Sequence, residues 1–259
     1  MNLQLSGRRA VVTGGSRGIG LAVARVLATE GSDVALVARD MKVLADVAAS
    51  LSFSTGRRVV GVAADTGDSA SVAAMAAEVA ERLGGVDILV NAAANVNLGG
   101  FSDEALGDEI NVKVGGYLRT ARAFAPHMVA QGWGRIINIS GLAARHTGSV
   151  VGSVRNAAVA AMSKNLADEL GAKGINVVTV HPGLTRTDRT NAMIDELAQS
   201  RGVSTEEAER EMAADISIGR LVTAEEVAYV IAFLASPLSV ALNGEVVAAG
   251  GGVLGAIHY

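Results

Sequence analysis

The 259-residue chain has no cysteine, which excludes disulfides and thiolate-bound metals. Proline is scarce, at three residues, and aromatics make up only 3%; a helix-rich fold with an alanine and valine core suits both scarcities. No apolar run reaches the roughly 18 residues that a membrane span needs. The formal charge is −4 and no basic stripe stands out, so the electrostatic reason for binding nucleic acid is missing. Residues 1–7 lack the charged-then-apolar layout of a signal peptide. These absences lead to the expectation of a soluble cytoplasmic protein with no metal, membrane or nucleic-acid partner. With 50% hydrophobic residues, a chain of this length can bury a core without staples.

What is present is alternation. Short β-branched runs at residues 10–13, 34–38, 59–62, 88–90, 135–139, 176–180 and 245–248 read as strands. They are apolar throughout, as strands of a parallel sheet buried on both faces are. Helical stretches such as residues 19–30, 69–83 and 157–170 separate them. The expectation is an α/β fold: one domain over residues 1–259, with a doubly wound, parallel, seven-stranded sheet and helices on both faces. Residues 184–220 are charge-rich, with Asp195, Glu196, Glu206, Glu207, Glu209, Arg210 and Glu211. They read both as a solvated helical pair and as a lid over a substrate.

The first strand runs into Thr13-Gly14-Gly15-Ser16-Arg17-Gly18-Ile19-Gly20, and a helix follows. Glycines serve where a backbone turns sharply and must approach a pyrophosphate closely. The helix N-terminus offers that anion free N–H groups and the positive end of its dipole. A strand before and a helix after the turn point to a dinucleotide site. The second strand closes with Ala38-Arg39-Asp40. Arg39 offers a fork to a ribose 2′-phosphate, and Arg17 adds a second cation. This favours NADP(H) over NAD(H), with Asp40 leaving NAD(H) open.

At this point the chain resembles the short-chain dehydrogenase/reductase family over essentially its whole length. Thr-Gly-x-x-x-Gly-Ile-Gly at residues 13–20 is similar to that family's glycine turn. Asp65 and Thr66 stand where the resemblance implies an adenine contact. Asn91-Ala92-Ala93-Ala94 looks like the family's Asn-Asn-Ala-Gly segment. Asn111 lies where the family has a structural or proton-relay Asn, and Ser140 where it has its catalytic Ser. Pro182, Gly183 and Thr187 match the segment that touches the nicotinamide end. The resemblance also implies a homodimer or homotetramer, packed through helix faces around residues 121–125 and 157–161.

The departure lies in the family's Tyr-x-x-x-Lys pair. The resemblance puts Tyr on Gly152 and Lys on Asn156, in a Gly-Ser-x-x-Asn segment similar to a small subset of the family. In the implied mechanism Tyr exchanges the carbinol proton, Lys tunes it and holds the nicotinamide ribose, and Ser polarises the substrate oxygen. Asn156 can still bond ribose hydroxyls but carries no charge. Losing a general acid or base removes about 10²–10⁴-fold in rate. His146, in the loop beyond Ser140, is a candidate substitute. Arg155 reads as a surface cation able to replace the Lys electrostatically, Ser153 as a helix cap, and Tyr259 as reaching a neighbouring subunit. Tyr117 and Tyr229 read as core or interface, His181 as completing the loop before Pro182, and Lys113 as facing solvent. Three readings stay open. One is an NADP(H)-dependent oxidoreductase acting on a small carbonyl, alcohol or activated C=C substrate. The others are a non-redox lyase or isomerase, and an NADP(H)-binding regulatory protein. The substrate pocket is expected in loops around residues 96–101, 142–151 and 184–220.

Overall fold

The structure, a computed structural model, describes residues 1–94 and 102–257. The loop at 96–101 and Tyr259 therefore lie outside the described residues. In chain order the elements are β1 (Arg9–Thr13), α1 (Gly18–Thr29), β2 (Asp33–Ala38), α2 (Met41–Thr55), β3 (Val59–Ala63), α3 (Ser69–Leu83), β4 (Ile88–Asn91) and α4 (Asp103–Glu109). A π-helical turn (Ile110–Gly115) joins α4 to α5 (Gly116–Gln131). Then come β5 (Gly134–Ile139), α6 (Val150–Leu170), β6 (Ile175–Pro182), β7 (Thr185–Arg186), α7 (Asp188–Arg201), α8 (Thr205–Met212), β8 (Val222–Thr223), α9 (Ala224–Ala235) and β9 (Val246–Ala249).

Seven strands form one parallel sheet in the order β3-β2-β1-β4-β5-β6-β9. They are the seven expected apolar runs, displaced by a residue or two at their ends. Alternate residues serve opposite faces. Val12, Leu36, Val90 and Ile137 pack in one core with Leu27 of α1 and Ile231 of α9. Val11, Leu89, Ile136 and Val177 pack in a second with Met75 of α3, Phe124 of α5 and Leu166 of α6. Each such buried side chain contributes about 1.5–3 kcal/mol. That is why the runs must be apolar on both faces.

Chain order reverses between β1 and β4, so crossovers leave those strands in opposite directions and open a crevice at their C-terminal ends. At the other end of the sheet the two strands are clamped. Arg9 donates from Nε to Asp87 Oδ2 at 2.7 Å and from Nη2 to Oδ1 at 2.9 Å.

Residues 184–220 contain the helical pair. Helices α7 and α8 share a small core of Ile194, Ala198, Ala208 and Leu221, while Asp195, Glu196, Glu206, Glu207 and Glu211 are exposed. Strand β6 runs on to Pro182, so His181 is buried in a strand rather than completing a loop. Among the described residues no helix is long and apolar enough to cross a membrane, and no group of acidic residues and histidines could hold a metal ion.

Candidate dinucleotide and active site

The glycines of the first turn answer to packing. Gly14 has a φ of +68°, and a Cβ there would lie 2.8 Å from the Ala92 carbonyl oxygen. A Cβ on Gly20 would fall inside the Gly14 carbonyl. The turn thus folds back on itself and against the end of β4, where the Ala92 and Ala93 N–H groups donate to Thr13 Oγ1 at 3.1 and 3.3 Å. Ser16 and Ile19 are half-buried beside it, and Arg17 is exposed.

Helix α1 begins without a cap. Arg17 stands at its N-cap with no side-chain hydrogen bond, and its first turn holds no acidic residue. Side chains of Asp40, Asp68, Ser102, Ser149, Thr187, Ser204 and Thr223 cap α2, α3, α4, α6, α7, α8 and α9. The first N–H groups of α1 therefore remain open to an anion at the mouth of the crevice. A Cβ on Gly18 would meet only Thr187 Cγ2, at 3.7 Å. A cleft of about 240 Å³ adjoins the turn, lined by Gly18, Arg25, Arg186, Thr187 and Asn191.

At the end of β2, Arg39 is exposed, whereas Asp40 is committed to α2, accepting from the Lys42 and Val43 N–H groups at 3.0 and 3.2 Å. Asp65 is exposed and accepts from Gly67 N–H at 2.8 Å; Thr66 is buried. Asn91 is buried completely, its amide held between Thr120 Oγ1 at 2.8 Å and Asn138 Oδ1 at 2.9 Å. That side chain ties the sheet to α5 rather than facing the crevice. Gly183, after buried Pro182, borders a second cavity of about 220 Å³ with Leu142, His146, Leu184, Met212 and Ile216.

On the far side of the switch point, Ser140 ends β5, and its Oγ donates to the Asn156 main-chain oxygen at 2.9 Å. Lys113 reaches the same place from the π-helical turn. Its Nζ donates to the Ser140 carbonyl oxygen at 2.9 Å and to Asn156 Oδ1 at 2.8 Å. Burial pushes the Lys113 ammonium down to about 7, helped by the positive charge of Arg155 and opposed by Glu109. Glu109 and Arg155 form an ion pair beside it, with side chains 1% and 12% exposed.

The model of a family described as Enoyl-(Acyl carrier protein) reductase matches residues 14–254. The short-chain reductase protein NovJ of Streptomyces niveus is 37% identical over 94% of this chain and 92% of its own. The 3-oxoacyl-[acyl-carrier-protein] reductase FabG of Escherichia coli K12 is 33% identical over 97% and 99%. The chain belongs to the short-chain dehydrogenase/reductase family. Among solved structures, L-sorbose reductase of Gluconobacter frateurii, complexed with NADPH and L-sorbose, superposes with a TM-score of 0.93 at 33% identity, over 99% of this chain and all of that one. An actinorhodin polyketide ketoreductase with NADPH gives 0.87 at 31%, over 96% and 98%.

Against the short-chain dehydrogenase/reductase pattern, several positions differ from expectation. Lys113 does not face solvent: it is 4% exposed. Its position was legible in one respect. Counting back from the inward residues Met128, Phe124, Ala121 and Tyr117 in steps of three or four reaches 113. Arg155 is no surface cation but the partner of Glu109. Ser149, not Ser153, caps α6, accepting from Gly152 N–H at 3.0 Å, while Ser153 Oγ donates to the carbonyls of Ser149 and His146. The helix therefore starts earlier than 157. Asn111 is exposed, bonding Gly67 O at 3.2 Å and Arg119 Nη2 at 2.6 Å, and the structure does not bring its side chain to Ser140. His146 is exposed. Tyr117 is core, its hydroxyl donating to Ile139 O at 3.0 Å, and burial raises its pKa. Tyr229 is 61% exposed on α9.

Proposed function

We propose that this chain is an NADP(H)-dependent oxidoreductase acting on a small carbonyl, alcohol or activated C=C substrate, with a site that lacks a phenol. The observation that carries the reading is the uncapped N-terminus of α1 behind the glycine turn, in a fold whose other loop-entered helices are capped. NADP(H) fits there. The first turn of α1 would take the pyrophosphate, and Arg39 with Arg17 the 2′-phosphate, while Asp40 caps α2 through Oδ1. Bound NADP(H) would supply or accept the hydride. Pro182, Gly183, Thr187 and Asn156 would hold the nicotinamide half.

The chain's own residues would do the rest. Ser140 offers a hydroxyl at the end of β5, which must turn from the Asn156 carbonyl to polarise a substrate oxygen. The second cavity, apolar except for His146 and Asp215 at its rim, would receive the substrate, and α7 and α8 would act as its lid. Met212 and Ile216 already line it. His146 and Asp215 are the titratable residues that line it, and His146 would serve as the proton carrier. An activated C=C substrate suits the site, because protonation can follow hydride addition as a separate step. NADPH consumption across a panel of ketones, diketones and enones tests the reading; binding without turnover anywhere in the panel would refute it.

A binding protein without redox activity is the second reading, and one observation favours it. Tyr117, the one buried tyrosine among the described residues, commits its hydroxyl to Ile139. Assembly as a homo-oligomer is also proposed, through the exposed α6 face of Val154, Ala157 and Ala161. Ala121 and Ala125 are buried in the chain's own core, so the α5 face expected at 121–125 is not available.

A further inference from the structure

Asn156 Oδ1 accepts from Lys113 Nζ at 2.8 Å. An ammonium can only donate, so this contact decides which end of the amide is oxygen. The NH₂ end turns the other way, toward Gly141, where a Cβ would sit 3.0 Å from Nδ2. Asn156 is 3% exposed, yet among the described residues Nδ2 makes no hydrogen bond. Nδ2 is not among the fully buried atoms left without a partner, so it keeps an opening to solvent through which a bound oxygen could accept from it. Lys113 is held on a second side by the Ser140 carbonyl oxygen, so the amide rests on an anchored ammonium.

We propose that Lys113 is a positioning residue that holds the Asn156 amide with its NH₂ group toward the crevice, as a donor to a ribose hydroxyl. The inference rests on the NADP(H) reading. A dinucleotide straddling the β1–β4 switch point lays one mononucleotide half on each side. With the 2′-phosphate end over Arg39 and β2, the other ribose lies over β4, β5 and β6, where Asn156 stands. The cation of this site thus comes from the π-helical turn and acts through the amide above it. Its charged neighbours are Glu109 at the end of α4 and Arg155 on α6, paired with each other.

Titration calorimetry with NADP⁺ and with 2′,5′-ADP, which lacks the second ribose, separates this role from a structural one. Lys113→Met is expected to weaken NADP⁺ about tenfold and leave 2′,5′-ADP unchanged. Asn156→Ala, which keeps the lysine and removes the amide, carries the same expectation and serves if Lys113→Met does not fold. In the wild type, the ratio of NADP⁺ to 2′,5′-ADP affinity should fall between pH 6 and pH 9, as Lys113 loses its proton between Glu109 and Arg155. In Lys113→Met that ratio should stay flat. Variants that bind both ligands as the wild type does, or lose both equally, would overturn the role of Lys113 alone. A wild-type protein that binds neither ligand would overturn the NADP(H) reading beneath it.

Discussion

Replacing Asn156 by lysine brings a second amine to a place where Lys113 Nζ already lies within 2.8 Å of the native side chain. Two ammonium groups about 4 Å apart repel by about 4 kcal/mol at an effective dielectric of about 20. The protein has a cheaper route, because burial has already lowered Lys113 to about 7. Releasing that proton costs about 1.4 kcal/mol at pH 6 and almost nothing at pH 8.5. The lost hydrogen bond to the amide adds about 1.5–3 kcal/mol at pH 6, where Lys113 is an ammonium, and about 0.5–1.5 kcal/mol at pH 8.5, where it is a neutral amine. The exchange variant, Lys113→Asn with Asn156→Lys, restores one amine and one amide. A double-mutant cycle by urea unfolding should therefore give a coupling of about 3–4 kcal/mol at pH 6, falling to about 1 kcal/mol at pH 8.5. Coupling below about 0.5 kcal/mol at both values would refute the pairing. The cycle also sets the order for rebuilding a Tyr-Lys pair. Gly152→Tyr with Asn156→Lys leaves Lys113 opposing the new cation, so ketone reduction is expected only when Lys113→Asn is added.

Three more outcomes follow from the geometry. Arg39→Asp should reverse the cofactor preference from NADP(H) to NAD(H) in calorimetric titration; an unchanged preference would remove Arg39 from the 2′-phosphate site. Asp87→Asn should lower unfolding stability by about 1–2 kcal/mol, since it removes the charge-assisted bonds to Arg9 while Gly84 O and Gln131 Oε1 still hold the guanidinium. Burial pushes the Asp87 carboxyl up, but the hydrogen bonds and charge of Arg9 outweigh it and hold the group below its usual range. That stability is present above about pH 4 and lost as pH falls through the folded-state value, a loss the variant should not show. Lys113 works in the opposite direction. The unfolded chain keeps its proton up to about pH 10 while the folded chain releases it near 7, so wild-type stability should rise with pH across that window. Urea midpoints of Lys113→Met should be flat there.

The sheet was legible because each strand is apolar on both faces, a pattern that leaves few alternatives to burial between helix layers. The glycine turn was legible for a similar reason: Gly14 and Gly20 are required by backbone contacts that any larger residue would break. The active-site side was read less well. Its polar groups take their positions from tertiary partners distant in sequence. Arg155 is drawn inward by Glu109, 46 residues earlier. Lys113 reaches Asn156 across 43 residues. A charged residue read alone defaults to solvent, and only a partner on another element reverses that default. Asn91 erred in the other direction. Placed by resemblance at the crevice, its amide is enclosed between Thr120 and Asn138 because β4 lies in the middle of the sheet.

The π-helical turn at Ile110–Gly115 determines how this chain can be compared with others. A wider turn holds one residue more than an α-helical turn spanning the same distance. Deleting one residue there would restore ordinary winding and leave α4 and α5 in line, but it would re-aim the side chains of the turn itself, Lys113 among them. The ammonium opposite Asn156 is thus delivered by chain count as much as by residue type. In a homologous chain one residue shorter, the same letter at an aligned column would point elsewhere, and the group facing α6 would have to be found by winding from Tyr117 backwards.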